Sequence, residues 1–336
     1  MVKKLAIITV VIAMLMATTG PQTYLPSQAL AQTAKVTVGT LGVPSTSVWM
    51  VAITQAKRFD LKNGVDIEWV EQPSTAAVYN DFAAGSYKVA TGGVMSYANQ
   101  YARGVKAKLF ATYQIFGTSV IVNTERAPNI RSLKDLNGID LAAPLASENT
   151  KAMMIYLLWS GVDLKSLKTR NFEQPGVAAE LRSPSGTAQA GIVFAQIPTR
   201  LVMEEPKKFK DLVSADDLEK IWRQKTGTDY HWLLGWAVHD DFARSNADIL
   251  QRIHNGMKEA IEWFHANTDE AVKIVAAKTK DSIPVLKETI RAGRVKFLQT
   301  TVESQEKAMM ELFTISTQLG YVTKLPDANF FYRGLR

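Results

Sequence analysis

The stretch "LAAPLASENTKAMM", residues 141–154, decides the fold. Leu141, Ala142 and Ala143 end a buried strand, Pro144 breaks it, and Ser147, Glu148, Asn149 and Thr150 open a helix that continues through Met153 and Met154. A short apolar run followed by a small-residue turn and a helix start is the unit of α/β layering. In such units ligands collect beyond the carboxyl ends of the strands, where turns expose backbone N–H groups and helix N-termini.

Outward from this unit the same alternation recurs. Strands are expected at residues 35–41, 65–71, 87–91, 107–114, 118–124, 139–143, 191–195 and 233–239, each enriched in β-branched or aromatic residues and bounded by Gly, Pro or Asn. From Asp240 onward the chain reads as helical. Thr268 with Asp269 and Glu270 marks one helix start, Thr300 and Glu303 have capping-box spacing for another, and Gly320 stands where a C-terminal cap belongs. The apolar positions of "AIEWFHANTDEAVKIVAA" fall at helical spacing and read as core.

At 336 residues the chain is long enough for about two domains. Lys3 and Lys4 precede an apolar run from Leu5 to Ala17, and the small-residue end at Ala29 and Ala31 completes a secretory signal peptide, with cleavage expected before Gln32. The run is shorter than the roughly 18 to 20 residues of a spanning helix, and Gly20 and Pro21 follow it. The chain has no cysteine, so neither disulfides nor a lipid on an N-terminal cysteine can form, which favours a freely diffusing periplasmic protein. Formal charge is +7, and removal of residues 1–31 takes Lys3 and Lys4 and no acid, leaving +5. The charges are interspersed, without a basic run interleaved with aromatics, so no nucleic-acid partner is expected.

The order of "KVTVGTLG", "YKVATGGVMS", "IRSLKDLNGIDLAAPLASENTKA", "GIVFAQIP" and "LLGWAVHDDFARSNADILQRIHNGMKEAIEW" resembles the substrate-binding proteins of ABC importers, most closely the nitrate, sulfonate and taurine type. The resemblance runs from about Lys35 to "LGYVTKLPDANFF" and rests on the order of soft motifs. It implies a bilobed α/β fold of the type 2 periplasmic-binding-protein kind. Two lobes with mixed sheets would be joined by a two-crossover hinge, with the ligand in the cleft between them. Lobe I would comprise residues 32–115 and 235–336, and lobe II residues 116–234. It further implies a monomer that closes on a small-molecule ligand and passes it to an inner-membrane permease, with no cofactor. The best ligand class is a sulfonate, nitrate or related oxyanion, followed by an aromatic carboxylate or a thiamin-precursor pyrimidine. A binding protein that docks on a sensor without import would have the same sequence features.

Four turns are candidates for the cleft. In "LGVPSTSVWM", Pro44 shapes the turn and Ser45, Thr46 and Ser47 can cap the helix or donate to a ligand; capping accounts for one hydroxyl but hardly all three. Gly92 and Gly93 in "TGGVMS" allow close backbone approach. Ser147, Asn149 and Thr150 offer hydroxyl and amide groups, and Gln196 in "FAQIPTR" offers both donor and acceptor. Tyr113, Trp232 and Trp236 lie near the crossovers, and Tyr113 and Trp236 are expected to line the pocket. Glu148, as a first-turn acid, is expected to point to solvent; pointing into the cleft, it would repel an anion and favour a cationic or zwitterionic ligand. No strongly placed Arg or Lys stands in these turns, which weighs against a simple anion site.

Catalytic readings have little to stand on. Neither a GxSxG nor an HExxH pattern occurs, and His231, His239, His254 and His265 have no metal-ligand spacing. A relative of this fold, the fungal thiamine-pyrimidine synthase, uses a cysteine-rich iron-binding segment, which a chain without cysteine cannot supply. No catalytic residue and no metal site are assigned.

Overall fold

The protein, described here by a computed structural model, is defined over residues 33–336. The expected signal peptide lies outside the described residues. Among the described residues eleven strands form two sheets. In chain order they are β1 (Ala34–Leu41), β2 (Val65–Gln72), β3 (Val89–Gly93), β4 (Ala107–Ile115), β5 (Ser119–Asn123), β6 (Asp140–Ala143), β7 (Lys168–Asn171), β8 (Ala190–Val193), β9 (Phe209–Asp211), β10 (Trp232–His239) and β11 (Lys296–Thr301).

The first sheet has the order β11-β4-β10-β3-β1-β2 and the second β7-β6-β8-β5-β9. Both are mixed: β1 pairs in parallel with β2 and β3, whereas β10 runs antiparallel to β3 and β4. In the second sheet β6 pairs in parallel with β7 and β8, and β5 runs antiparallel to β8 and β9. The central strands are buried on both faces, which is why they read as continuous apolar runs.

All eight expected strands are present. The other three, β7, β9 and β11, escaped the sequence reading, and each lies at a sheet edge. An edge strand is covered less completely and needs no apolar run; "KTRN" is exposed along its whole length and "FKD" is three residues long. The stretch after Asp240 is therefore not wholly helical, since "KFLQTT" forms β11 on the outer edge of the first sheet. Thr300 belongs to that strand, so it caps no helix: a 3-10 turn at Glu303–Gln305 leads into the helix Glu306–Gln318. The helix Thr268–Thr279 carries Asp269 and Glu270 in its first turn as expected, and Gly320 adopts φ 74° just beyond the last helix.

The chain passes from the first sheet to the second between Ile115 and Ser119 and returns before Trp232. The two crossovers touch. The Phe116 N–H donates to the His231 carbonyl at 2.9 Å, and their rings stack at 4.8 Å, with Tyr156 and Trp222 extending the stack on either side. Arg294, just before β11, donates to Ser119 Oγ, Thr199 Oγ1 and Asp211 Oδ2 of the second lobe at 3.2, 3.0 and 2.9 Å. Gly117 sits where a Cβ would be 2.8 Å from the carbonyl oxygens of Gly293 and Arg294, so this junction tolerates no side chain.

Burial pushes the His231 imidazole down to about 3, and the ring stays neutral at the crossover. A histidine depressed in the folded state contributes stability that is present above its unfolded pKa of about 6.5 and lost as pH falls toward the folded value. Between pH 6.5 and 4 the loss approaches about 3 kcal/mol. Thermal melts across that range should show His231→Phe with a lower melting temperature at pH 7, through the lost Tyr156 hydrogen bond, but a flatter decline on acidification. An equally steep decline in the variant would exclude His231 as the acid-sensitive group.

Candidate functional site

The carboxyl ends of β1, β2, β3, β6 and β8 converge on one cavity of about 50 Å³, room for on the order of three to five water-sized groups. From the first lobe it is lined by Leu41, the turn Ser45, Thr46 and Ser47, Gly92 and Gly93, and Thr75, Val78 and Tyr79. The second lobe contributes Ser147, Glu148, Asn149 and Phe194, and Leu234 closes the wall at β10.

The three hydroxyls after β1 are mostly committed to the protein. Thr46 Oγ1 donates to Gln114 Oε1 at 2.6 Å, and Ser47 Oγ shares a 2.9 Å hydrogen bond with the Tyr113 hydroxyl. Ser45 Oγ accepts the Ser47 N–H at 3.2 Å, which leaves its own O–H available. None serves as the side-chain cap of helix Ser47–Lys57. Two of the trio therefore tie the turn to β4 and hold Ser45 at the cavity.

Glu148 does not point to solvent. Its residue is 4 % exposed, and its carboxylate crosses the cleft to the start of helix Val94–Ala102 in the first lobe. The Met95 N–H donates to Oε1 at 2.6 Å and Ser96 Oγ donates to Oε2 at 2.8 Å. Helix Val94–Ala102 begins after Gly93, which has no side chain to satisfy the free N–H groups of the first turn. Glu148 supplies that acceptor from the other lobe. A Cβ on Gly93 would overlap the Glu148 carboxyl carbon, so glycine here makes room for the acid.

The sequence expectation failed because a first-turn acid is satisfied by its own helix dipole, and nothing local reveals a second helix start facing it. Burial pushes the Glu148 carboxyl up, while the Lys151 charge and the hydrogen bonds from Ser96 and Met95 pull the other way. The Tyr79 hydroxyl, pushed up by burial and by the Glu148 charge, accepts the Gly93 N–H at 2.7 Å and completes the polar floor.

Asn149 Oδ1 accepts from Thr118 Oγ1 at 2.6 Å, linking the cavity to the first crossover and leaving the amide NH2 without a protein partner among the described residues. Ser147 Oγ caps its own helix by accepting the Asn149 N–H at 3.2 Å. Thr150 is buried beside the cavity without lining it, and its hydroxyl has no hydrogen-bond partner among the described residues. Pro44, which follows a cis peptide bond, and Gln196 line a neighbouring cavity of about 420 Å³ instead.

Tyr113 and Trp236 stand behind the site in the core. The Trp236 ring packs against Trp69, Phe110 and Tyr113 at centroid distances of 5.8, 5.9 and 6.1 Å, and Tyr113 meets the cavity through its hydrogen bond to Ser47 without lining it. Trp232 is likewise buried, donating through Nε1 to Gln305. The aromatic walls that do line the cavity, Tyr79 and Phe194, went unread. Tyr79 follows the strand "VDIEWVEQ" on the helix Thr75–Ala84, a strand-to-helix turn of the same kind as the four candidates, and that signal could have found it.

Among the described residues no helix is long and apolar enough to cross a membrane. No group of three or more His, Asp or Glu residues there could hold a metal ion.

A two-lobed α/β protein with a small, largely apolar cavity carrying a few convergent polar groups where strand ends meet is the architecture of a solute receptor. The model of the phosphonate ABC-transporter periplasmic substrate-binding proteins matches residues 56–281, and the chain belongs to this family. It is accordingly a periplasmic substrate-binding component of an ABC transporter. Among solved structures it resembles the aliphatic sulphonate binding protein SsuA of Escherichia coli (TM-score 0.75, 13% identity, 90% of this chain and 98% of that one). The alkanesulfonate-binding protein SsuA of Xanthomonas axonopodis pv. citri, bound to MOPS, is also similar (TM-score 0.69, 14% identity, 91% and 99%). So is the nitrate-binding protein NrtA of Synechocystis PCC 6803 (TM-score 0.67, 13% identity, 89% and 84%). At these identities the likeness establishes the fold. Comparison with curated proteins gave no match.

A carboxyl group raised by burial binds a proton more readily in the folded state, so its ionisation lowers stability as pH rises through the window above its unfolded value. Glu148→Gln removes that ionisation and keeps the size of the side chain. Its melting temperature relative to wild type should rise between pH 4.5 and 7.5; a difference independent of pH would place Glu148 in solvent.

Proposed function

We propose that this protein captures a small polar solute in the cavity between its lobes, closes around it by rotation about the crossovers, and delivers it to an ABC permease in the inner membrane. In this reading lobe I comprises residues 32–115 and 235–336 and lobe II residues 116–234, and the mature protein acts as a monomer. The observation that carries the reading is that one cavity draws polar groups from both lobes: Ser45 and Tyr79 from the first, Glu148 and Asn149 from the second. A solute bridging them is held best when the lobes are closed, which is how hinge-closing receptors couple binding to shape.

The alkanesulfonate and nitrate for which two of the similar proteins are named support a solute that carries an oxyanion group such as sulfonate or nitrate. The role is one of binding, with Ser45, Gly92, Gly93, Ser147 and Asn149 as ligand contacts. Thr46 and Ser47 line the cavity with their hydroxyls committed to Gln114 and Tyr113, Tyr113, Thr150 and Trp236 support the site from behind, and Pro44 and Gln196 border the adjoining cavity.

A thermal-shift screen of the chain starting at Gln32 tests this. A solute at a hundred times its dissociation constant adds about 2.7 kcal/mol and moves the melting temperature by several degrees. Ser45→Ala combined with Asn149→Ala should weaken the response of any hit at least tenfold in concentration; an unchanged response would put the site elsewhere.

A further inference from the structure

The cavity's charge pattern bears on what it takes in. Among the described residues, Glu148 is the one charged side chain lining it; no Lys, Arg or His does. Two helix starts converge there, that of Val94–Ala102 and that of Glu148–Trp159, and either alone would favour an anion. Both face the same carboxylate, because Glu148 is the first residue of its own helix and accepts the Met95 N–H of the other. An oxyanion arriving here would meet an acid already seated on the donors it needs.

An ionised carboxylate accepts about four hydrogen bonds; the Met95 N–H and the Ser96 hydroxyl supply two, and the Ser96 N–H is also directed at it. The remaining capacity calls for donors. Around it stand the Ser45 hydroxyl and the Asn149 NH2, which suit acceptor atoms, and the flanks of Val78 and Phe194, which suit a small flat or aliphatic body.

Resting on the proposed reading that this cavity is the solute site, we infer that Glu148 is its recognition acid and that the solute presents an N–H donor to it: an amine, an amidinium or an amino-heterocycle, with or without an anionic group at its far end. An oxyanion alone is then a poor ligand. The charged and titratable groups facing Glu148 are Lys151 on its own helix, Tyr79 on helix Thr75–Ala84, and Tyr97 on helix Val94–Ala102. Burial raises both tyrosines, which stay neutral at pH 7, so neither supplies the missing cation.

Matched pairs of small solutes isolate this preference. Taurine against ethanesulfonate and 2-aminoethylphosphonate against ethylphosphonate differ by one amine, and acetamidinium against acetate reverses the charge on one planar fork. Calorimetry at pH 7.5 and fixed salt should find at least one amine or amidinium binding ten times more tightly than its partner. That ratio should fall tenfold or more in Glu148→Gln and keep its direction in Glu148→Asp, with circular dichroism confirming that both variants fold.

The inference is overturned if amine-free members bind as tightly as their partners, if the ratio survives Glu148→Gln, or if no amine or amidinium in the panel binds at millimolar concentration. Failure of the solute-site reading looks different: the preference would persist undiminished when Ser45 and Asn149 are both replaced by alanine.

Discussion

One carboxylate capping a helix that is not its own is the contact on which the cleft depends. Glu148 leaves the first turn of a second-lobe helix and ends on the Met95 N–H and Ser96 hydroxyl of a first-lobe helix. Gly93 makes this workable twice over, by providing no competing cap and by leaving space for the acid. A side-chain cap is worth about 0.5 to 2 kcal/mol, and burying an ionised carboxylate without partners costs considerably more. The contact is therefore held by necessity: separating the lobes exposes both helix start and acid to water, and closing them requires that each find the other.

Around that contact the rest of the fold acts as alignment. Two crossovers bonded through Phe116 and His231 carry the second lobe, and Arg294 adds a third link from the approach to β11. Asp211, raised by burial and drawn down by the Arg294 charge, is an acid whose partner must stay in place, because a buried charge left unpaired is strongly destabilising. The junction at Gly117 and Gly293 is packed too closely to slide freely. Thr118, inside the first crossover, holds Asn149 at the cavity, so the crossover and a cavity residue share one hydrogen bond.

How far the sequence alone leads depends on whether a residue's role is local. Strands buried on both faces announce themselves as apolar runs, and the seven inner strands were legible, together with the edge strand β2, whose "VDIEWVEQ" is rich in β-branched and aromatic residues. The edge strands "KTRN", "FKD" and "KFLQTT" have no such run, and their pairing is set by the neighbour they meet. Turns after strands were legible as a class, which brought Ser45, Gly92, Gly93, Ser147 and Asn149 to the cavity. Side-chain direction was not. Thr46 and Ser47 turn away to Gln114 and Tyr113, Trp236 packs among other rings, and Glu148 turns inward to a helix more than fifty residues earlier in the chain. Each of these is decided by a partner remote in sequence, and spacing carries no trace of it.

Carbon-detected NMR of the Glu148 side chain, assigned by loss of its signal in Glu148→Gln, with the Met95 amide followed in the same titration, reads the central contact directly. The account predicts a Glu148 titration above the usual carboxylate range and a Met95 amide shift that moves with the same midpoint. An ordinary carboxylate midpoint, with a Met95 amide indifferent to it, would contradict the account.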